Sequence, residues 1–199
     1  EELLSWIAIG ARSVEDQEHR IFASGCDCAV GMKNSTSGWI AGAINGIAAA
    51  QHKHVAVMDG YQVETSGNPF AHLVLRGGAT GPNYHLEHVH KAKKMFEKHQ
   101  IQNPAILIDA SHDNCKVDDV KFPSRQVEVV REVMAYRKSD PAYRELVRGF
   151  MMESFLKEGS QKLESTTPGG IDRSGLSITD PCVGWEATEA IIREVTKEI

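Results

Sequence analysis

"AILIDASHDN", residues 105–114, is the stretch on which the fold turns. Ile106, Leu107 and Ile108 make a continuous apolar run, which suits a strand covered on both faces. Such strands belong to parallel sheets flanked by helices, and this one delivers Asp109, Ser111 and His112 to its C-terminal tip. The same arrangement recurs outward along the chain. Apolar runs at 5–11, 28–33, 72–76 and 146–152 alternate with helical patterns, which makes 105–109 the fourth of five strands. The pattern predicts a helix after Ser13 as N-cap with Gly25 just past its end, and others over about 37–50, 86–99, 124–136 and from Trp185 onward. Residues 54–65 predict a β-hairpin turning at Asp59-Gly60, and 79–84 and 159–176 predict surface loops.

Five strand–helix units imply parallel strands with right-handed crossovers. At or just past the C-terminal ends of the five runs stand Arg12, Lys33, Arg76, His112 and Glu153, each ionisable. In a β/α barrel that edge is where the active site is built. A doubly wound sheet gathers ligands only at its switch point. Five consecutive contributing strands favour the barrel. The expected fold class is therefore α/β, a (β/α)8 TIM barrel of which residues 1–199, a single domain, hold about the last five units. The chain opens "EELLSWIAIGAR", without a methionine and close to an apolar run, so three further units are expected ahead of Glu1.

Bulk composition narrows the partners. Apolar residues are 41% and charged residues 25%, ordinary for a globular protein. A formal net charge of −5 argues against a nucleic-acid surface, which needs clustered basic residues. The longest uncharged run, 34–52, is too polar to span a bilayer, and no signal peptide opens the chain. Cys26, Cys28, Cys115 and Cys182 form no CxxC pair, which fits reduced thiols in a cytoplasmic protein.

Arg12, Lys33 and Arg76 are expected to converge at one mouth, where two guanidiniums and an ammonium suit a phosphorylated anion. Gly10 and Ala11 add backbone N–H groups that can approach it closely. His112, Glu153 and Asp180 form a second group. One imidazole and two carboxylates suit a divalent metal such as Mn²⁺, Fe²⁺, Co²⁺ or Zn²⁺. Cys115, three residues past His112, offers a weaker alternative as a zinc-type ligand. Together these groups imply an anionic substrate and a polarised carbonyl.

The stretches "SWIAIGARSVEDQEHR", "AVGMKNSTSG", "TSGNPFAHLVLRGG", "PNYH", "IDASHDNCK", "GFMMESFLKEGSQK" and "SITDPCVGWE" carry a resemblance that covers essentially all 199 residues. In them the chain resembles the type I 3-deoxy-D-arabino-heptulosonate 7-phosphate synthases, which open the shikimate pathway of aromatic amino-acid biosynthesis. The resemblance implies a (β/α)8 barrel, with this chain corresponding to its fourth through eighth strands. It implies that Gly10, Ala11, Arg12, Lys33 and Arg76 contact phosphoenolpyruvate, Arg12 and Arg76 on its phosphate. Lys33 would face the carboxylate as a proton donor or acceptor, and His112, Glu153 and Asp180 would be three of four metal ligands. The implied reaction joins C3 of phosphoenolpyruvate to the aldehyde of erythrose 4-phosphate, adds water at C2 and releases phosphate. The family's fourth ligand, a cysteine, and its Lys-Pro-Arg-Thr loop have no counterpart here, so the chain alone is expected to be inactive. Alternatives are a related phosphoenolpyruvate-dependent sugar-acid synthase and a non-catalytic barrel fragment. Open strand edges lead us to expect a homo-oligomer.

Overall fold

All five apolar runs become parallel strands of one sheet. The computed structural model describes residues 3–58, 60–163 and 170–198. The strands are β1 (Trp6–Ile9), β2 (Ala29–Lys33), β5 (His72–Leu75), β6 (Ile106–Asp109) and β9 (Val147–Met151), in the order β1-β2-β5-β6-β9. Every neighbouring pair is parallel. The strands lie side by side in the order in which the chain makes them, with no reversal. That order lacks the switch point of a doubly wound sheet and is the order found in a β/α barrel. The fold is α/β, a partial barrel with β1 and β9 at its two edges.

The hairpin lies outside this sheet as β3 (Val55–Met58) and β4 (Tyr61–Glu64), antiparallel and largely exposed. Gly60 holds a left-handed φ of 81°, as the predicted turn requires; Asp59 lies outside the described residues, as do 164–169 of the loop expected at 159–176.

The helices match their expected places with shifted ends. They are α1 (Gln17–Gly25), α2 (Ile40–Gln51), α3 (Leu86–Lys98), α4 (Pro123–Ser139) and α6 (Trp185–Thr196). Two expectations for α1 are corrected. Ser13 instead donates its N–H to Gly10 O at 3.0 Å in a tight turn, and Asp16 is the cap, its Oδ1 accepting from Glu18 N at 2.8 Å. Gly25 is the last helical residue, not a left-handed residue beyond the end; a Cβ there would press on Thr65 Cγ2 at 3.3 Å. The small residues of α2 let it bury one continuous face through Ala43, Ile44, Ile47 and Ala50.

Two stretches add elements beyond the expectation. A short helix, α5 (Pro141–Leu146), precedes β9, with the Asp140 side chain accepting from Tyr143 N at 2.7 Å. A 3₁₀ turn at His112–Cys115 leads into a two-residue ribbon, β7 (Lys116–Val117) and β8 (Val120–Lys121). Among the described residues, no helix is long and apolar enough to cross a membrane.

The central strand β5 is buried along its whole length, yet it starts with a histidine. His72 Nε2 accepts from Trp6 Nε1 at 3.0 Å, and its Nδ1 donates to Phe70 O at 2.9 Å. Both nitrogens are satisfied only in the neutral ring, and burial pushes the pKa down to match. This pair crosses above Gly31, where a Cβ would lie 2.6 Å from the Trp6 ring and 2.7 Å from Val74.

Candidate metal and anion site

The site lies at the C-terminal ends of the strands, and buried asparagines hold those ends together. Asn34, just past β2, accepts from Arg76 N at 3.0 Å and donates to Gly77 O at 2.8 Å. Asn83 accepts from Gly77 N at 2.7 Å and donates to Asn34 Oδ1 at 3.0 Å. Asn114 accepts from Asn83 N at 2.9 Å and donates to Leu75 O at 3.0 Å and Asp109 O at 2.8 Å. These three residues satisfy the backbone groups that the sheet abandons as its strands diverge into loops. Gly78 lies so close to Gly38 that any side chain there would overlap the Gly38 backbone, and Ala79 N donates to Thr36 O at 3.0 Å. The loops after β2 and β5 are thereby locked against each other.

Upon this frame stand the ionisable groups. His112, Glu153 and Asp180 present one ligand atom each, all within 4.8 Å of one another. His112 Nε2 is 3.9 Å from Glu153 Oε1. His112 itself adopts a left-handed backbone, φ 52°, in which Asp113 N reaches Arg76 O at 3.1 Å. A non-glycine residue held there marks a backbone over-determined by its surroundings. Glu153 is fixed through its own peptide. Buried Gln126 on α4 accepts from Glu153 N at 2.9 Å and donates to Glu153 O at 3.3 Å. Val183 N also donates to Glu153 O at 2.9 Å, which brings the Asp180 loop alongside. Asp180 is paired with Lys121 of β8, and that hydrogen bond holds its carboxyl below the usual carboxylate range.

Two of the three cations read from the strand ends stand paired with carboxylates. Lys33 pairs with Asp109 at 3.0 Å, and Arg76 pairs with Asp113, which also takes Lys116 Nζ at 2.6 Å. Arg12, with Gly10 and Ala11, follows the edge strand β1; Gly10 and Arg12 are exposed there. The reason is electrostatic: cations enclosed by the barrel rim need counter-ions, and Asp109 and Asp113 provide them. Burial alone would raise both carboxyls, but His112 and Lys33 at Asp109, and Lys116 and Arg76 at Asp113, leave each lowered. Sequence reading notices Asp109 at the strand tip but gives it no role, and misses Asp113 and the three asparagines, although both aspartates sit in the very motif that revealed His112.

The donor set fits a divalent cation of intermediate hardness, with His112, Glu153 and Asp180 as its holders. The cysteines fit less well. Burial raises the Cys115 and Cys182 thiols, and Cys115 Sγ points to His112 O at 3.5 Å; neither belongs to the ligand group. Among the described residues no cysteine forms a disulfide.

Residues 1–193 match the profile of the DAHP synthetase I family. The Tyr-sensitive phospho-2-dehydro-3-deoxyheptonate aldolase of Salmonella typhimurium is 39% identical over 203 residues, covering 100% of this chain and 54% of that protein. The Trp-sensitive enzyme of Escherichia coli K12 is 38% identical over 206 residues, covering 100% and 55%. Among solved structures, the phospho-2-dehydro-3-deoxyheptonate aldolase from Francisella tularensis SCHU S4 superposes with a TM-score of 0.86 at 33% identity, over 100% of this chain and 56% of that one. The chain thus spans about half the length of these relatives.

Proposed function

The chain belongs to the DAHP synthetase I family, and from that premise we propose that its 199 residues are the fourth-to-eighth-strand part of a barrel enzyme of the shikimate pathway. In this reading the enzyme condenses phosphoenolpyruvate with erythrose 4-phosphate, giving 3-deoxy-D-arabino-heptulosonate 7-phosphate and phosphate. The observation that carries the reading is the meeting of His112, Glu153 and Asp180, at the C-terminal edge of the sheet where Lys33 and Arg76 also stand.

A divalent ion held by His112, Glu153 and Asp180 would supply Lewis-acid polarisation of the aldehyde carbonyl. The remaining roles belong to side chains. Arg76, held by Asp113, presents its guanidinium to the phosphate of phosphoenolpyruvate, where bidentate contact suits the geometry. Arg12 joins it from the β1 end, with the Gly10 and Ala11 backbone beside it. Lys33 faces the carboxylate side and is the group placed to give or take a proton during attack by C3 and addition of water at C2. Around the site, Asp109, Asp113, Glu153 and Asp180 are balanced by Lys33, Arg76, Lys116 and Lys121. A dication and a multiply charged anion can therefore enter together with little net change in charge.

Titrating phosphoenolpyruvate into the chain with and without Mn²⁺, while following phosphate release after erythrose 4-phosphate is added, tests this. Metal-dependent phosphoenolpyruvate binding that Arg76→Ala abolishes is the expected result. Binding indifferent to both metal and Arg76 would defeat the proposal. The open sheet edges and a metal group of three protein donors support a narrower reading, that these residues alone bind far better than they turn over.

A second reading, self-association, has its own support. Val55, Val57 and Tyr61 stand exposed on the hairpin, and Phe150 and Met152 lie at the β9 edge. Light scattering that returns a monodisperse monomer would contradict it.

A further inference from the structure

The mechanism above leaves one buried group without a task. Asp109, the last residue of β6, is fully buried. Its Oδ1 accepts from Ser111 N at 3.0 Å, and its Oδ2 lies 3.0 Å from Lys33 Nζ and 2.8 Å from His112 Nδ1. His112 Nδ1 is itself buried and has no aligned hydrogen bond; Asp109 Oδ2 approaches it off the N–H axis. We propose that Asp109 is the positioning residue of the site, its single oxygen Oδ2 fixing His112 as the Nδ1–H tautomer while anchoring the Lys33 ammonium. The proposal rests on the reading of His112 as a metal ligand and deepens it.

The chemistry is that of a carboxylate, which only accepts. A buried imidazole nitrogen facing one must carry the hydrogen, and the other nitrogen then keeps its lone pair. Here the other nitrogen is Nε2, the atom directed toward Glu153. A histidine with its second nitrogen tied in this way is oriented and made more basic toward a metal. Lys33 balances the buried carboxylate at the same oxygen, so the metal-binding and phosphoenolpyruvate-binding halves of the site share one anchor.

The test is an amide in place of the carboxylate. In Asp109→Asn the side-chain oxygen can still accept from Ser111 N, leaving the NH₂ facing His112 Nδ1. A donor there favours the opposite tautomer, with hydrogen on Nε2. Two-bond ¹H–¹⁵N spectra of the full chain, recorded where the ring shows the neutral pattern, read the tautomer without any metal. We expect Nδ1–H at His112 in the unmodified chain and Nε2–H in Asp109→Asn. A parallel Mn²⁺ titration is expected to weaken by about 10- to 100-fold. An Nε2–H tautomer in the unmodified chain overturns the proposal, whether or not the variant folds. So does a folded Asp109→Asn with the same tautomer and the same Mn²⁺ affinity. If the tautomer switches but the unmodified chain takes no Mn²⁺, the metal reading of the site falls while the Asp109–His112 coupling stands.

Discussion

The ends of β1 and β5 were read as parts of one anion pocket, yet they are built to different standards. After β5 and β6, Arg76, Asp113, Asn83 and Asn114 are all buried, and their side chains pair with one another, with neighbouring backbone or with Asn34 and Lys116. After β1, Gly10 and Arg12 stand exposed. The first region is organised before any ligand arrives, because its buried polar groups are satisfied by each other. The second is held by its backbone turn, Ser13 N to Gly10 O at 3.0 Å, with the Arg12 side chain in solvent.

Substitutions separate the two regions by size of effect. Asp113→Ala leaves Arg76 and Lys116 without their shared partner in the rim, and chemical denaturation should show a loss of about 3 kcal/mol or more. Gly78→Ala forces a methyl into the Gly38 backbone and should cost up to about 3 kcal/mol. Both together should depart from additivity, since Arg76, the partner of Asp113, and Gly78 belong to the same loop. Asn83→Ala orphans Gly77 N and should cost about 1–3 kcal/mol. At the other end of the comparison, Arg12→Ala should change stability by no more than about 0.5 kcal/mol. Its effect should appear in phosphoenolpyruvate affinity instead. A destabilisation by Arg12→Ala comparable to that of Asp113→Ala would show that the β1 end is as preorganised as the rest.

A smaller, pH-dependent effect comes from the sheet itself. Burial lowers the His72 pKa below its unfolded value, so the unfolded chain takes up the proton more readily. Stability from this group is complete above about pH 6.5 and is lost as pH falls toward the folded value, with a slope of at most about 1.4 kcal/mol per pH unit. Half-buried His88 contributes in the same direction. Denaturation midpoints measured across this range should show a slope that His72→Asn reduces; an unchanged slope would assign it elsewhere.

These contrasts also mark what could be read from the amino-acid order alone. Continuous apolar runs such as "HLVL" and "ILID" announce fully covered strands, and Arg76, His112 and Glu153 were found because they follow such runs. Asp109 and Asp113 share the motif with His112, but an aspartate at a strand end is equally at home in a turn. Only the pairing across strands to Lys33 and Arg76 distinguishes the two. The asparagine frame was hidden for the same reason, since Asn34, Asn83 and Asn114 meet across separations of 31 and 49 residues. The left-handed backbone of His112 leaves no local trace. The short helix α5 was legible in principle, because Asp140-Pro141 is a cap followed by the residue favoured at the first helical position.

The central claim is that the rim of this half-length chain assembles a divalent-cation site from His112, Glu153 and Asp180. Calorimetric titration of Mn²⁺ into the chain, alongside His112→Ala and Glu153→Ala, tests it most directly. The account predicts saturable binding at one site, lost in both variants while their folded spectra are retained. Binding that survives both substitutions, or none in the unmodified chain, would contradict it.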